Sequence, residues 1–359
     1  MRFGSALVML LLVGAVIAPT YGAAITPGNL VIYRVGDGSA ALGTTATKVF
    51  LDEYTTSGTL VQTIAVSSSG STALTAVGNA STEGIISLAQ DGSKLVFTGY
   101  RKDAGGTSPS ADAPATTNRV IGTVGLNGVV DTSIGLVDPT GTIRSATTVD
   151  GSAYYISASG NYLRYVASPG PASTSVQIDA RNSRQVNLLN NELFASNGST
   201  AITAKVQSYG TLPTGTTTPT PIVTLTTSDA VNGFAVLDLS PTIPGADTIY
   251  ALSTVASQLL KWSYNGTSWA QTGSISGVAA QNLVSVVSGS TVTLYLTSGT
   301  TLSTITDASG QGGTLSGTLT PLATAGTNTA FRGIGILVPE PASIVLLGLG
   351  ALGLVRRRK

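Results

Sequence analysis

Four Asx-Gly pairs, each set between short runs of β-branched or aromatic residues, limit what this chain can fold into. Asp91-Gly92 lies between residues 85–88 and 95–100, and Asn127-Gly128 between 119–125 and 129–130. Asp150-Gly151 lies between 146–149 and 153–157, and Asn265-Gly266 between 259–264 and 268–271. Asx and Gly tolerate positive φ, so each pair predicts a tight type I′ hairpin. Residues 25–338 carry no long stretch with the apolar period of an amphipathic helix. The body therefore reads as all-β.

A longer repeat lies above the hairpins. First strands begin near residues 83, 143, 184, 231 and 282, roughly 40 to 60 residues apart, which is the spacing of propeller blades. Second strands follow at 94–100, 153–157, 192–195, 248–252 and 292–296. The segment Phe331-Arg332-Gly333-Ile334-Gly335-Ile336 resembles a first strand without a second. Residues 29–35 resemble a second strand without a first, with 49–54 and 60–66 as the third and fourth. Pairing the two ends closes a ring and leaves only short edges. The expected fold is an all-β β-propeller of six blades, with a seventh if one hides in 101–145 or 200–230. A β-sandwich pair and a β-solenoid are the alternatives. Segments 101–118 and 208–222, with their Gly and Pro, are expected to be loops.

Composition narrows the chemistry. The chain has 359 residues, no Cys and no His. Disulfides, thiolate nucleophiles, His-metal sites and Ser-His-Asp triads are thereby excluded.

The two ends differ from the body. Residues 1–24 read as a signal peptide: Arg2 is followed by an apolar run over 7–17, Pro19, and small residues allowing cleavage after Ala24. At the other end stand Pro339-Glu340-Pro341, an apolar Leu/Gly stretch over 342–355, and Arg356-Arg357-Arg358-Lys359. Pro-Glu-Pro cannot continue a helix. As a helix, the apolar stretch spans ~21 Å, short of a ~30 Å hydrocarbon core. The basic end stays cytoplasmic and leaves the body outside. Without the two ends, 13 positive and 16 negative residues remain, so nucleic acid is not an expected partner.

This tripartite end resembles the PEP-CTERM sorting signal of Gram-negative bacteria. The resemblance implies export, with the Sec machinery and the membrane protease exosortase as partners. It also implies a transient inner-membrane tether through a single hydrophobic helix at 342–355, a final place at the cell surface or in the matrix, and an exopolysaccharide or biofilm setting.

In the body, Glu53, Glu83 and Glu192 are the available glutamate acid–base groups, read as solvated strand-edge charges. Asp37, Asp52, Asp138 and Asp307 read as turn or charge residues rather than Ca²⁺ ligands, and no metal or cofactor is expected. Tyr154, Tyr155, Tyr162 and Tyr165 form one aromatic cluster. Trp262, Tyr264 and Trp269 form another, and the latter three are possible glycan-binding residues. The leading expectation is a non-enzymatic structural or adhesive surface protein. The alternatives are a propeller hydrolase or lyase using carboxylates and a cation, or a carbohydrate-binding module.

Overall fold

The computed structural model describes residues 22–160 and 162–338. The apolar segments 7–17 and 342–355 lie outside the described residues. Among the described residues no helix is long and apolar enough to cross a membrane.

The chain runs β1 (Leu30–Val35), β2 (Ala46–Tyr54), β3 (Leu60–Ala65), β4 (Thr75–Val77), β5 (Ser87–Leu88), β6 (Lys94–Tyr100), β7 (Arg119–Gly125) and β8 (Val130–Leu136). Four regular groups follow. They are β9 (Ile143–Thr147), β10 (Tyr154–Ala158), β11 (Tyr162–Val166), β12 (Val176–Asp179); β13 (Ser183–Leu189), β14 (Glu192–Asn197), β15 (Ala204–Thr211), β16 (Thr220–Thr224); β17 (Val231–Leu237), β18 (Thr248–Ser253), β19 (Gln258–Tyr264), β20 (Trp269–Ser276); and β21 (Asn282–Ser288), β22 (Thr291–Thr297), β23 (Thr301–Asp307), β24 (Thr320–Thr324). The last strand is β25 (Ala330–Ile336).

Each group is a four-stranded antiparallel blade. The second blade is β5-β6-β7-β8. The first is β25-β1-β2-β3, made from both ends of the chain: Leu30 pairs with Ile336 and Val35 with Ala330. Strand β4 pairs with both β2 and β6 and ties these two blades together. Among the described residues six blades close a ring, and no seventh is hidden. Residues 200–230 supply β15 and β16 of the fourth blade, and 101–118 form a connection from β6 to β7. The loop over 208–222 is shorter than expected. Pro221 lies in β16, an outer edge strand where a missing N–H costs no ladder bond.

The core is divided rather than central. Six apolar clusters fill the six seams between blades. Strand β18 shows the pattern: Ile249 and Ala251 face the seam with the fourth blade, and Tyr250 and Leu252 face the seam with the sixth. A strand buried on both faces reads as continuously apolar, which explains its Ile-Tyr-Ala-Leu run.

The Asx-Gly turns fall where expected but are not type I′. Only their glycines have positive φ, for example Gly92 at +72° and Gly266 at +90°. Each Asx side chain accepts a hydrogen bond from the backbone N–H two residues on, as in Ser93 N to Asp91 Oδ1 at 3.0 Å and Thr267 N to Asn265 Oδ1 at 2.9 Å. That bond holds the Asx in an Asx turn and leaves the left-handed position to Gly alone. The two-residue turn with positive φ at both positions is Asn190-Asn191, joining β13 to β14.

Candidate functional site

The innermost strands are β25, β5, β9, β13, β17 and β21, which touch one another around the axis. Four of them leave register near their start. Arg332 and Gly333 both fall opposite Tyr33, and Arg184 and Gln185 opposite Ser196. Asn232 and Gly233 fall opposite Leu252, and Arg144 is the extra residue between Ile143 and Ser145. A β-bulge re-aims a side chain, and here it repeats at one level of the ring. Glu83, just before β5, and Asn282, at the head of β21, occupy the same level in the other two blades.

This level is polar and buried. Glu83 is 2% exposed, Arg332 5%, Arg144 5%, Asn282 4% and Asn232 7%. Neighbouring strands lock together beside it: Gly333 N donates to Gly84 O at 2.9 Å, and Ile85 N to Arg144 O at 3.1 Å. Glu83 Oε2 accepts from Val77 N at 2.9 Å and Oε1 from Tyr100 Oη at 2.7 Å. Burial pushes the Glu83 carboxyl up to about 7, although these hydrogen bonds and the nearby Arg332 and Arg144 favour its charge. Burial, followed by the Arg184 charge, lowers Arg144 to about 9. Burial also lowers Arg184 and Arg332.

The guanidinium groups are incompletely partnered. Arg144 Nη1 donates to Asn182 Oδ1 at 2.7 Å and Ser183 O at 2.6 Å, and Arg332 Nη2 to Gly78 O at 2.9 Å. Arg144 Nε, Arg184 Nε, Arg332 Nη1 and Asn282 Oδ1 have no hydrogen-bond partner among the described residues. None of the three arginines forms an ion pair among them. Two cationic groups, Arg332 and Arg144, thus stand near one carboxyl poised near neutrality, with Arg184 close to Arg144. The arrangement offers a proton acceptor at neutral pH and donors for an oxyanion.

At the other end of the inner strands the axis widens into a funnel of about 520 Å³. Its wall includes Gln90, Gln185, Asn187, Asn190 and Phe234, and no charged residue. Leu88, Val286, Val287 and Val338 stand exposed on its wall. Val338, the last described residue, lies on this wall.

The residues singled out by their chemistry fall unevenly on this geometry. Glu53 and Glu83 are buried rather than solvated. Glu53 accepts from Thr26 N, Asn29 Nδ2 and Gln62 Nε2, which hold its carboxyl below the usual range against burial. Glu192 accepts from Ser208. Asp37, Asp52, Asp138 and Asp307 each pair with a cation: Lys48, Arg34, Arg164 and Lys261 respectively. No group of three or more acidic side chains converges among the described residues. Trp262 is buried in the seam of the fourth and fifth blades and Trp269 packs partly buried against the same cluster, while the Tyr264 and Trp269 rings meet at 5.4 Å, tilted by 33°, on the outer hairpin of the fifth. Tyr154 and Tyr155 are buried in seams on opposite faces of their strand. Ala24 is exposed and precedes Ile25, which is buried between the first two blades. Residues 339–341 and 356–359 lie outside the described residues. Reading by motif passes over the bulge arginines, although Arg332-Gly333, Arg184-Gln185 and Asn232-Gly233 recur at one point of the repeat.

Residues 337–359 match the family model of the PEP-CTERM protein-sorting motif. No curated protein matches the sequence. Among solved structures, a protein from Bacteroides uniformis described as a candidate 6-phosphogluconolactonase is similar, with a TM-score of 0.50 at 13% identity over 84% of this chain and 85% of that one. A periplasmic gluconolactonase of Pseudomonas aeruginosa aligns with a TM-score of 0.46 at 12% identity over 82% and 83%. The Swd1 β-propeller domain of Myceliophteria thermophila aligns with a TM-score of 0.41 at 10% identity over 67% and 72%. The expectation of a non-enzymatic chain is corrected by the Bacteroides uniformis neighbour, which is described as a candidate lactonase. A lactonase description attaches to a propeller of this layout, and the lack of His and Cys leaves carboxyl and guanidinium chemistry open. The chain is an exported exosortase substrate, carrying a PEP-CTERM sorting motif behind an all-β propeller.

Proposed function

We propose that the body is an exported hydrolase acting on a sugar-derived cyclic ester, with its chemistry at the polar axial level. The observation that carries this reading is Glu83, a buried carboxyl near pH 7 beside Arg332 and Arg144. As carboxylate it takes a proton from water while the water oxygen bonds to the ester carbonyl carbon. The Arg332 guanidinium faces the charge that develops on the carbonyl oxygen. The ring C–O bond then breaks, Glu83 returns the proton to the leaving oxygen, and a hydroxy acid results. The lactonase descriptions of the structural neighbours support the substrate class, and the sorting motif supports a reaction outside the inner membrane.

The test is hydrolysis of glucono-lactone by the purified chain and by Glu83→Gln. Turnover is expected to rise with pH to a midpoint near 7, and Glu83→Gln to lose at least a hundredfold. A folded Glu83→Gln with unchanged turnover sinks the proposal. A second reading, adhesion to exopolysaccharide at the surface or in the matrix, is favoured by the Tyr264–Trp269 stack. Under it, Trp269→Ala loses glycan retention while still melting cooperatively, at a temperature lowered by its lost packing on the seam.

A further inference from the structure

A second cavity, of about 300 Å³, opens beside the axial level. Its wall includes Arg332, Asn79, Ser81, Gln281, Thr300 and Thr329. Arg332 is 5% exposed and keeps Nη1 without a partner among the described residues, while Nη2 is bound to Gly78 O. Glu83 lies near enough to favour the Arg332 charge but accepts no hydrogen bond from it; the Glu83 oxygens accept from Val77 N and Tyr100 Oη. A buried cation with a free donor is costly unless an anion completes it. The rest of the wall mixes amide and hydroxyl groups with apolar Leu42 and Phe331, and the volume suits a small ligand.

We infer that this cavity binds a small polyhydroxylated carboxylate, the carboxylate drawn to the Arg332 charge at its wall and the hydroxyls on the amide and hydroxyl wall. The inference deepens the hydrolase reading by naming the hydroxy acid as the species held, and it rests on that reading for its place in turnover. Its binding test is independent of turnover.

The experiment is calorimetric titration of the full chain with sodium gluconate, glucose and inorganic phosphate, each against wild type, Arg332→Met, Arg332→Lys and Gln281→Ala. Gluconate is expected to bind at least tenfold more tightly than glucose or phosphate. Arg332→Met is expected to lose at least tenfold, and Arg332→Lys and Gln281→Ala less. Melting temperatures identify any variant that has failed to fold. Because Gln281 contributes from the wall alone, Gln281→Ala keeps the test open if both Arg332 variants unfold. Equal binding of gluconate and glucose overturns the inference, as does phosphate binding as tightly as gluconate. Undiminished gluconate binding by a folded Arg332→Met also overturns it. Lactone turnover without gluconate binding removes this inference and leaves the hydrolase standing. Gluconate binding without turnover does the reverse.

Discussion

A carboxyl buried among guanidinium groups makes its proton part of the folding equilibrium. Glu83 moves from 4.5 in the open chain to about 7 in the fold. Between those values the folded chain holds more protons than the unfolded one, so stability falls as pH rises through the window. The contribution is fully favourable below about pH 4.5 and is lost by about pH 7, a swing of about 3 kcal/mol. Glu83→Gln is expected to flatten the denaturant-derived stability between pH 4.5 and 7.5, and an unaltered slope would show that the proton is held elsewhere. At this scale the sequence is least legible. A Glu or Arg in an isolated strand reads as solvated. Burial of Arg144 and Arg332 follows from a bulge, and a bulge depends on which strand lies alongside.

Strands and turns are far more legible, because their signals are local. Alternation and Asx-Gly pairs locate the hairpins, and the repeat locates every innermost strand. Type I′ geometry is misassigned because the Asx side chain competes for the turn's own N–H groups, as at Asn265. Strand β16 escapes notice because its prolines suggest a loop, and only its outer position makes Pro221 tolerable. Close strand contact at the axis gives an element-scale prediction. A Cβ on Gly333 would lie 2.2 Å from Gly84 O and 2.4 Å from Ile86 N, both backbone atoms. Gly333→Ala is therefore expected to part the first and second blades and cost about 2 kcal/mol or more, read as a lower melting temperature. Gly245→Ala, with no atom within 4 Å but a φ of +80°, is expected to cost about 1 kcal/mol. Equal effects of the two variants would argue against tight axial packing.

For the whole molecule, the sequence announces both the ring and the route, since the unpaired strands at the two ends of the body and the tripartite tail are features of order along the chain. It cannot announce the funnel or the second cavity, which exist only between blades. Removing residues 339–359 leaves β25 intact, so the shortened chain is expected to melt at the full-length temperature and to leave the inner-membrane fraction. Removing residues 330–359 takes away β25, opens the first blade and is expected to abolish cooperative melting. Membrane retention of the first truncation, or cooperative melting of the second, would contradict this division of labour.

Strand β25 ends at Ile336, three residues ahead of Pro339. The strand that clasps the ring therefore borders the sorting motif, and every other strand of the six blades precedes it in the chain. Without it, β1 presents a bare edge, open to any strand that meets it. Latching of the ring and processing at the motif thus concern neighbouring stretches of chain.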